Sequence, residues 1–451
     1  MELDTLAGQR YASPRGFTVS DTTDYDRDDL LARDAKYILR PWPKKNEPVP
    51  IVKAEGCVVT EAGGKDYIDF TSGYFVNNAG HTRPEIIAAA TEQLHRVSQV
   101  SGRHTTVPLI DLAEKLVQIT PASVDKAFFT TGGSESTEFA LKMARQYTGK
   151  PDICAVDNGF HGLSLGALAA CGSEKYRATA GVPLGDAVYR VPTPYCYRCP
   201  HAVDCETQCL DEAEKQIDAR PNTAALLAEP VQSVGGIRPP ERWWQRMDAI
   251  RRRRGLLLIL DEIQTGLGRT GKMYAAEHYG LEPDILTTAK GLSGGVGSLG
   301  AVLVRSEVGE GFYAGTTPTS AGNAISAAAG LALIRVLEAD RIVDNCAKMG
   351  EYFTGAVADL DDPFVGDIRF TGLLGGVELV LDRGTKEPLP KPLIGAVQDS
   401  LHEQGMLTTV SGPLGNTLRL QPPLVITPKE IDAFVAALRV AFDRARAVAK
   451  Q

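Results

Sequence analysis

The sequence of 451 residues contains no apolar run of about 18 residues, so it offers no membrane-spanning helix. Its opening, MELDTLAGQRYASPRGF, lacks the apolar stretch of a secretory signal, and a cytoplasmic address is the expectation. Basic residues are not in excess. The 48 Lys and Arg stand against 56 Asp and Glu, a net charge of −8, so neither nucleic acid nor an anionic membrane surface is suggested as a partner. Tandem repeats and low-complexity tracts are missing. The eight cysteines suit a reducing compartment better than a disulfide scaffold, because a chain this long can bury a core of its own. Its length allows a large domain plus a smaller one, or three domains at most, and 43% hydrophobic residues is ordinary for a soluble globular chain.

What is present is a strand–turn–helix texture. Residues 1 to about 35 are polar and read as irregular. From Lys45 to Asp69 short β-like pieces follow one another, with Gly63-Gly64 as a hairpin turn. Pro84 to Val97 and Leu109 to Ile119 have helical periodicity. From Lys126 strands alternate with helices: KAFFT, then a helix with Phe139, Ala140, Met143, Ala144 and Tyr147 on one face, then ICAV, AALLA, the runs ending at Asp261 and Lys290, and GAVLV at Gly300 to Val304. Such alternation predicts a parallel α/β sheet. Beyond about Arg335 the texture is that of a separate α+β lobe, with helices at Pro392 to Gln404 and Pro428 to Ala449. The expected division is an N-terminal segment at 1–75, a large domain at 76–335 with a cysteine-rich insert at 195–210, and a C-terminal domain at 336–451, both termini contributing to the smaller lobe.

Two apolar runs carry the chemistry. Leu256 to Leu260 ends abruptly at Asp261, and Ile285 to Ala289 ends abruptly at Lys290. Side chains at the carboxyl ends of parallel strands line the ligand crevice, so one carboxylate and one amine should share it. A lysine is usually a solvated surface charge. One at the end of DILTTAK is desolvated instead, and a desolvated lysine is a nucleophile near neutral pH. An acid opposite a cationic ring nitrogen and a lysine able to form an imine are what pyridoxal phosphate requires. Gly132, Gly133 and Ser134 sit between a strand and a helix, where backbone amides and the helix N-terminus suit a phosphate; the plain alternative is a turn with Ser134 as N-cap. Phe160, beside His161, could stack on a flat ring or simply fill the core. Glu229 could orient substrate or cap a helix. GLGRTGK at Gly266 to Lys272 matches the start of a nucleotide-binding P-loop, but Met273 stands where the magnesium ligand is needed. The four arginines Arg251 to Arg254 read as a solvated face at a helix C-terminus.

DEIQTGLGRTG followed by PDILTTAKGLSGG resembles the signature of class III pyridoxal-phosphate aminotransferases, of fold type I. SGYFVNNAGHTRPEI, TTGGSESTEFALKMAR, GFHGLSLGALA, AEPVQSVGGIRPP, SAGNAISAAAGLAL, VGDIRFTGLLGGVEL and LRLQPPLVIT follow in the family's order, so the resemblance covers nearly the whole chain. It implies an α/β fold, a large domain with a mostly parallel sheet flanked by helices and a smaller α+β domain. It implies Lys290 as the Schiff-base lysine and proton carrier, Asp261 against the pyridine nitrogen, Gln264 at the phenolic oxygen, and Phe160 and Ile263 on opposite faces of the ring. Gly132, Gly133 and Ser134 would hold the phosphate. Thr319 would reach the phosphate of the neighbouring subunit, which implies a homodimer with shared sites, or a tetramer built from it. Glu229 and Arg419 would handle substrate, Arg419 clamping a carboxylate, and Phe75 would wall the pocket. The implied reaction moves an amino group, of ω-amino type, from an amine or amino acid to a keto acid such as pyruvate or 2-oxoglutarate. The phosphate turn TGGS departs from the usual start, and TPTSAGNAIS lacks the usual aromatic and proline. The SAGNAISAAAG texture also resembles the racemase branch, which leaves isomerase or lyase chemistry as the alternative.

One stretch is not required by that signature. Cys196, Cys199, Cys205 and Cys209 fall within CYRCPHAVDCETQC, spaced C-x2-C, x5, C-x3-C. Four thiolates suffice for zinc or for an iron–sulfur cluster, with His201 as a spare ligand. A surface insertion with free or redox-labile thiols is the alternative.

Overall fold

The computed structural model describes residues 25–40, 47–201 and 205–450. Its centre is a seven-stranded sheet. In spatial order the strands are Lys126–Thr130, Gly300–Val304, Ile285–Thr288, Leu257–Asp261, Thr223–Ala228, Asp152–Val156 and Val188–Val191. Gly300–Val304 runs antiparallel to both neighbours, and the remaining pairs are parallel.

The sheet is buried on both faces, which explains the unbroken apolar runs. Alternate residues serve opposite cores. Ala225, Leu227, Leu257 and Ile259 pack with Phe139, Leu141 and Met143 of helix Gly133–Thr148. Leu226, Ala228, Leu258 and Leu260 pack with Trp243, Trp244 and Met247 of helix Glu241–Arg253 on the other side.

A second sheet joins Ile51–Glu55, Val58–Glu61 and Asp66–Asp69 to Met406–Leu407, so sequence from near both ends meets in it. A third contains Val365–Thr371, Leu374–Asp382, Thr417–Leu420 and Thr409–Ser411. Helices Lys391–Glu403 and Pro428–Ala449 pack against each other. The latter begins with proline in its first turn and a reciprocal Thr427–Glu430 capping box. Phe353 is fully buried against the rings of Phe70, Phe370 and Phe434. Phe353→Ala should therefore cost about 3–5 kcal/mol, read as a lowered denaturant midpoint with an unchanged m-value.

Four readings of the sequence are corrected. Arg27–Tyr37 is a helix, capped by Asp26 accepting from Asp28 and Asp29 amides, whereas the stretch had read as irregular; residues 1–24 lie outside the described ones. The strand Val188–Val191 was not anticipated. Gly132, not Ser134, is the residue before the helix that starts at Gly133. Arg251 is no solvated charge: it is buried and paired with Asp248 and Asp284, while Arg252, Arg253 and Arg254 pair with acids at the surface. The helix Ala324–Ala339 runs through the expected boundary at residue 335.

Candidate active site

Asp261 ends its strand with only 2% of its surface exposed. A buried carboxylate needs partners, and the neighbouring strand ends supply them. His161 Nδ1, from the loop after Asp152–Val156, lies 2.7 Å from Asp261 Oδ2. The Ile263 amide donates to Asp261 Oδ1 at 3.0 Å. A carboxylate offers about four acceptor positions, so Asp261 keeps capacity for a further donor.

Lys290 follows the adjacent strand Ile285–Thr288, in a left-handed conformation with φ 45°. Its Nζ has no hydrogen-bond partner among the described residues. Burial lowers its pKa to about 8; Asp261 and Glu229 oppose the shift and Arg419 adds to it. The amine is therefore unpaired among the described residues and partly buried, and, though still mostly protonated at physiological pH, it keeps a far larger neutral fraction than a solvated lysine.

Gly132 leaves the first turn of helix Gly133–Thr148 without a side-chain cap, and Glu135 reaches back to the Thr131 amide and hydroxyl. The Ser134 hydroxyl accepts from the Leu163 amide at 3.1 Å. Gly162 makes that approach feasible, since a Cβ there would lie 2.8 Å from Ser134 Cα. Ile263 lies against Gly133, where a Cβ would meet it at 3.0 Å. An uncapped helix N-terminus beside two glycines is suited to an anion.

At the opposite end, the Arg419 guanidinium stacks 4.0 Å from the Phe75 ring centroid. Burial pushes its pKa down to about 10, so it stays charged, and its Nε is buried without a partner among the described residues. Glu229 is buried and accepts from the Phe160 and Ser233 amides at 3.1 and 3.0 Å. Burial raises its pKa. Phe160 meets Tyr176 edge-on, with ring centroids 5.3 Å apart. Gln264 donates to Gln421 at 2.6 Å, and Thr319 is exposed, its carbonyl accepting from Gln99.

Phe75 arrives on an unusual turn. Ser72, Gly73, Tyr74 and Phe75 have φ of 42°, 60°, 70° and 71°. Left-handed backbone costs a non-glycine residue about 1–2 kcal/mol, so the surroundings must hold it. Asp69 accepts from the Thr71 amide and hydroxyl, the Gly73 amide and His81 Nε2.

Two residues escaped sequence reasoning. Arg269, inside the P-loop-like stretch, is fully buried and donates to Leu373 and Pro422 carbonyls, Ser72 Oγ and Asn78 Oδ1. It ties the loop after Asp261 to the turn carrying Phe75. Glu262 is also fully buried, accepts from the Ala275 and Ala276 amides, and is pushed up to about 7 by burial. Its place beside Asp261 in DEIQTG was the available signal.

The insert's thiols are free. Cys196, Cys199, Cys205 and Cys209 line one cavity of about 390 Å³ with His201 and Trp243. Among the described residues, no three His, Cys, Asp or Glu side chains form a group that could hold a metal ion. Cys196 Sγ bonds the Pro194 carbonyl and Cys205 Sγ accepts from the Thr207 amide.

A mostly parallel sheet presenting an acid and an unpaired amine at the carboxyl ends of adjacent parallel strands, beside an uncapped helix, is the arrangement of a pyridoxal-phosphate enzyme of fold type I. The profile of the class-III aminotransferases matches residues 41–442. The acetylornithine aminotransferase of Methanothermobacter thermautotrophicus is 35% identical over 417 residues, covering 92% of this chain and 98% of that one. The leucine/methionine racemase of Thermococcus litoralis is 35% identical, covering 85% and 88%. The (S)-enantioselective ω-transaminase of Thermomicrobium roseum superposes with a TM-score of 0.88 at 31% identity, covering 93% and 99%. The chain belongs to the class-III aminotransferase family and is a pyridoxal-phosphate-dependent aminotransferase.

Proposed function

We propose that this aminotransferase takes its amino group from an amine or amino acid of ω-amino type and delivers it to a keto acid such as pyruvate or 2-oxoglutarate. The observation that carries the choice of acceptor is Arg419, charged, enclosed and with an unpaired Nε, standing on the Phe75 wall. A guanidinium so placed can clamp a carboxylate through two parallel hydrogen bonds.

Bound pyridoxal phosphate supplies an electrophilic aldehyde and a ring that takes up electrons released at the substrate α-carbon. The chain's residues do the rest. Gly132, Gly133 and Ser134 would hold the phosphate at the helix terminus. Asp261, oriented by His161, would keep a proton on the ring nitrogen. Ile263 and Phe160 would flank the ring, and Gln264 would serve its phenolic oxygen on giving up Gln421. Lys290 Nζ would carry the proton from the substrate carbon. Glu229 sits beside Arg419 at the substrate end. The exposure of Thr319 supports a role across a dimer interface, where it would serve the partner's phosphate, in a dimer or tetramer with shared sites. A cytoplasmic location fits the cysteine content. Zinc or an iron–sulfur cluster in the insert would be structural, since amino transfer does not need it, and would require the four thiols to close on one point; metal analysis of the purified protein tests it.

The racemase relative favours a second reading, an isomerase or lyase on the same cofactor. Single-turnover spectra with one amine and no acceptor separate the two. Amino transfer converts the cofactor stoichiometrically to its pyridoxamine form. Racemisation returns the original spectrum and scrambles the substrate's chirality. A screen of donors against pyruvate and 2-oxoglutarate then identifies the pair; activity confined to carboxylate-free acceptors would overturn the assignment of Arg419.

A further inference from the structure

Asp69 and His81 belong to none of the roles above, yet both are spent on one turn. Asp69 ends the strand Asp66–Asp69 and is 2% exposed. Its Oδ1 accepts from the Thr71 amide at 2.7 Å and hydroxyl at 2.6 Å, and its Oδ2 accepts from the Gly73 amide and His81 Nε2, each at 2.8 Å. Burial alone would raise its pKa, but the bonds from His81 and Thr71 outweigh it and the net shift is downward. His81 is itself fixed by reciprocal backbone bonds with Gly56. The carboxylate thus faces inward at the root of the left-handed turn Ser72–Phe75, and the end of that turn is the ring under Arg419.

We propose that Asp69 and His81 are positioning residues for substrate selection: they hold the left-handed turn and, through Phe75, set the guanidinium of Arg419 for a carboxylate-bearing substrate. The inference rests on the assignment of Arg419 to that carboxylate. It does not involve the cofactor, so the dyad should act on keto acids and not on carboxylate-free amines.

The test compares holoenzyme variants with pyruvate as acceptor, and with a carboxylate-free amine as donor and aldehyde as acceptor. Asp69→Asn and His81→Ala should raise the pyruvate KM about tenfold or more, the effect of losing a charge-assisted hydrogen bond. They should leave kcat, the amine and aldehyde constants and the cofactor spectrum within about twofold. His81→Gln, which keeps an N–H donor, should restore most of the loss. Combining Asp69→Asn with Phe75→Leu should add little to either change alone, as for residues acting in series. Should Asp69→Asn fail to fold, Thr71→Val removes one donor to the same carboxylate and should shift the pyruvate KM in the same direction by less. Equal losses with both substrate types, an unchanged pyruvate KM, or full additivity with Phe75→Leu would overturn the proposal. Arg419→Lys is the control. If it leaves the pyruvate KM unchanged, the assignment of Arg419 fails; if it raises it while Asp69→Asn does not, only the dyad's role fails.

Discussion

Lys290→Ala should lower turnover by about 10²–10⁴-fold through loss of the proton carrier alone, and by more because the covalent attachment point goes with it. The protein should remain folded, because among the described residues the amine has no hydrogen-bond partner to orphan. The absorbance of the protein–cofactor imine should vanish from the purified variant. A band that persists in Lys290→Ala would sink the assignment. The pH dependence follows from burial, which lowers the amine from its ordinary 10.5 to about 8. Because the lowered value belongs to a base, the reactive neutral form grows as pH rises. Capture of added cofactor by the stripped protein should accelerate through pH 8 and level off above it. A rate that keeps rising about tenfold per pH unit beyond pH 9 would indicate an ordinary solvated lysine and contradict a desolvated amine.

The second large effect is at the other end of the ring. Asp261→Asn keeps the shape but removes the charge, leaving the His161 imidazole without its anion. Turnover should fall about 10²–10³-fold, the size expected when one preorganised electrostatic contact to developing charge is lost. Phosphate affinity should be nearly unchanged, because the helix terminus at Gly133 is a separate element. His161→Gln should give a milder loss, since Ile263 still donates to Asp261. Equal kcat for wild type and Asp261→Asn, measured at saturating cofactor, would remove Asp261 from the chemistry.

Asp261 and Lys290 were legible because each is the first ionisable residue after a buried, uncharged run, wholly apolar before Asp261 and carrying only Thr287 and Thr288 before Lys290. A polar residue at that position is costly unless it faces a cavity, and the sheet topology places both ends at one crevice. Helix Gly133–Thr148 was legible from its periodicity. Arg269 was not, because its partners Ser72, Asn78, Leu373 and Pro422 are distributed along most of the chain and no local pattern marks them. Arg251 was misread for a related reason: in a run of four arginines the one that turns inward is chosen by Asp284, more than thirty residues away in sequence. The strand Val188–Val191 sits at the sheet edge, with Val188 and Arg190 only partly buried, so its composition carried little signal. The left-handed turn at Ser72–Phe75 was invisible because two of its four residues, Tyr74 and Phe75, are types that rarely adopt such backbone.

The pairing of Asp66–Asp69 with Met406–Leu407 has a consequence for how the molecule is made. Lys65 donates to the Glu403 carbonyl across 338 residues of sequence. The ribosome releases the early strands long before their partner exists, so during synthesis the edge at Ile68 and Asp69 must wait unpaired. The central sheet can assemble first, but the wall bearing Phe75 completes only when the last tenth of the polypeptide emerges. Premature termination anywhere before Met406 should therefore yield chains whose cofactor half is formed and whose selectivity half is not.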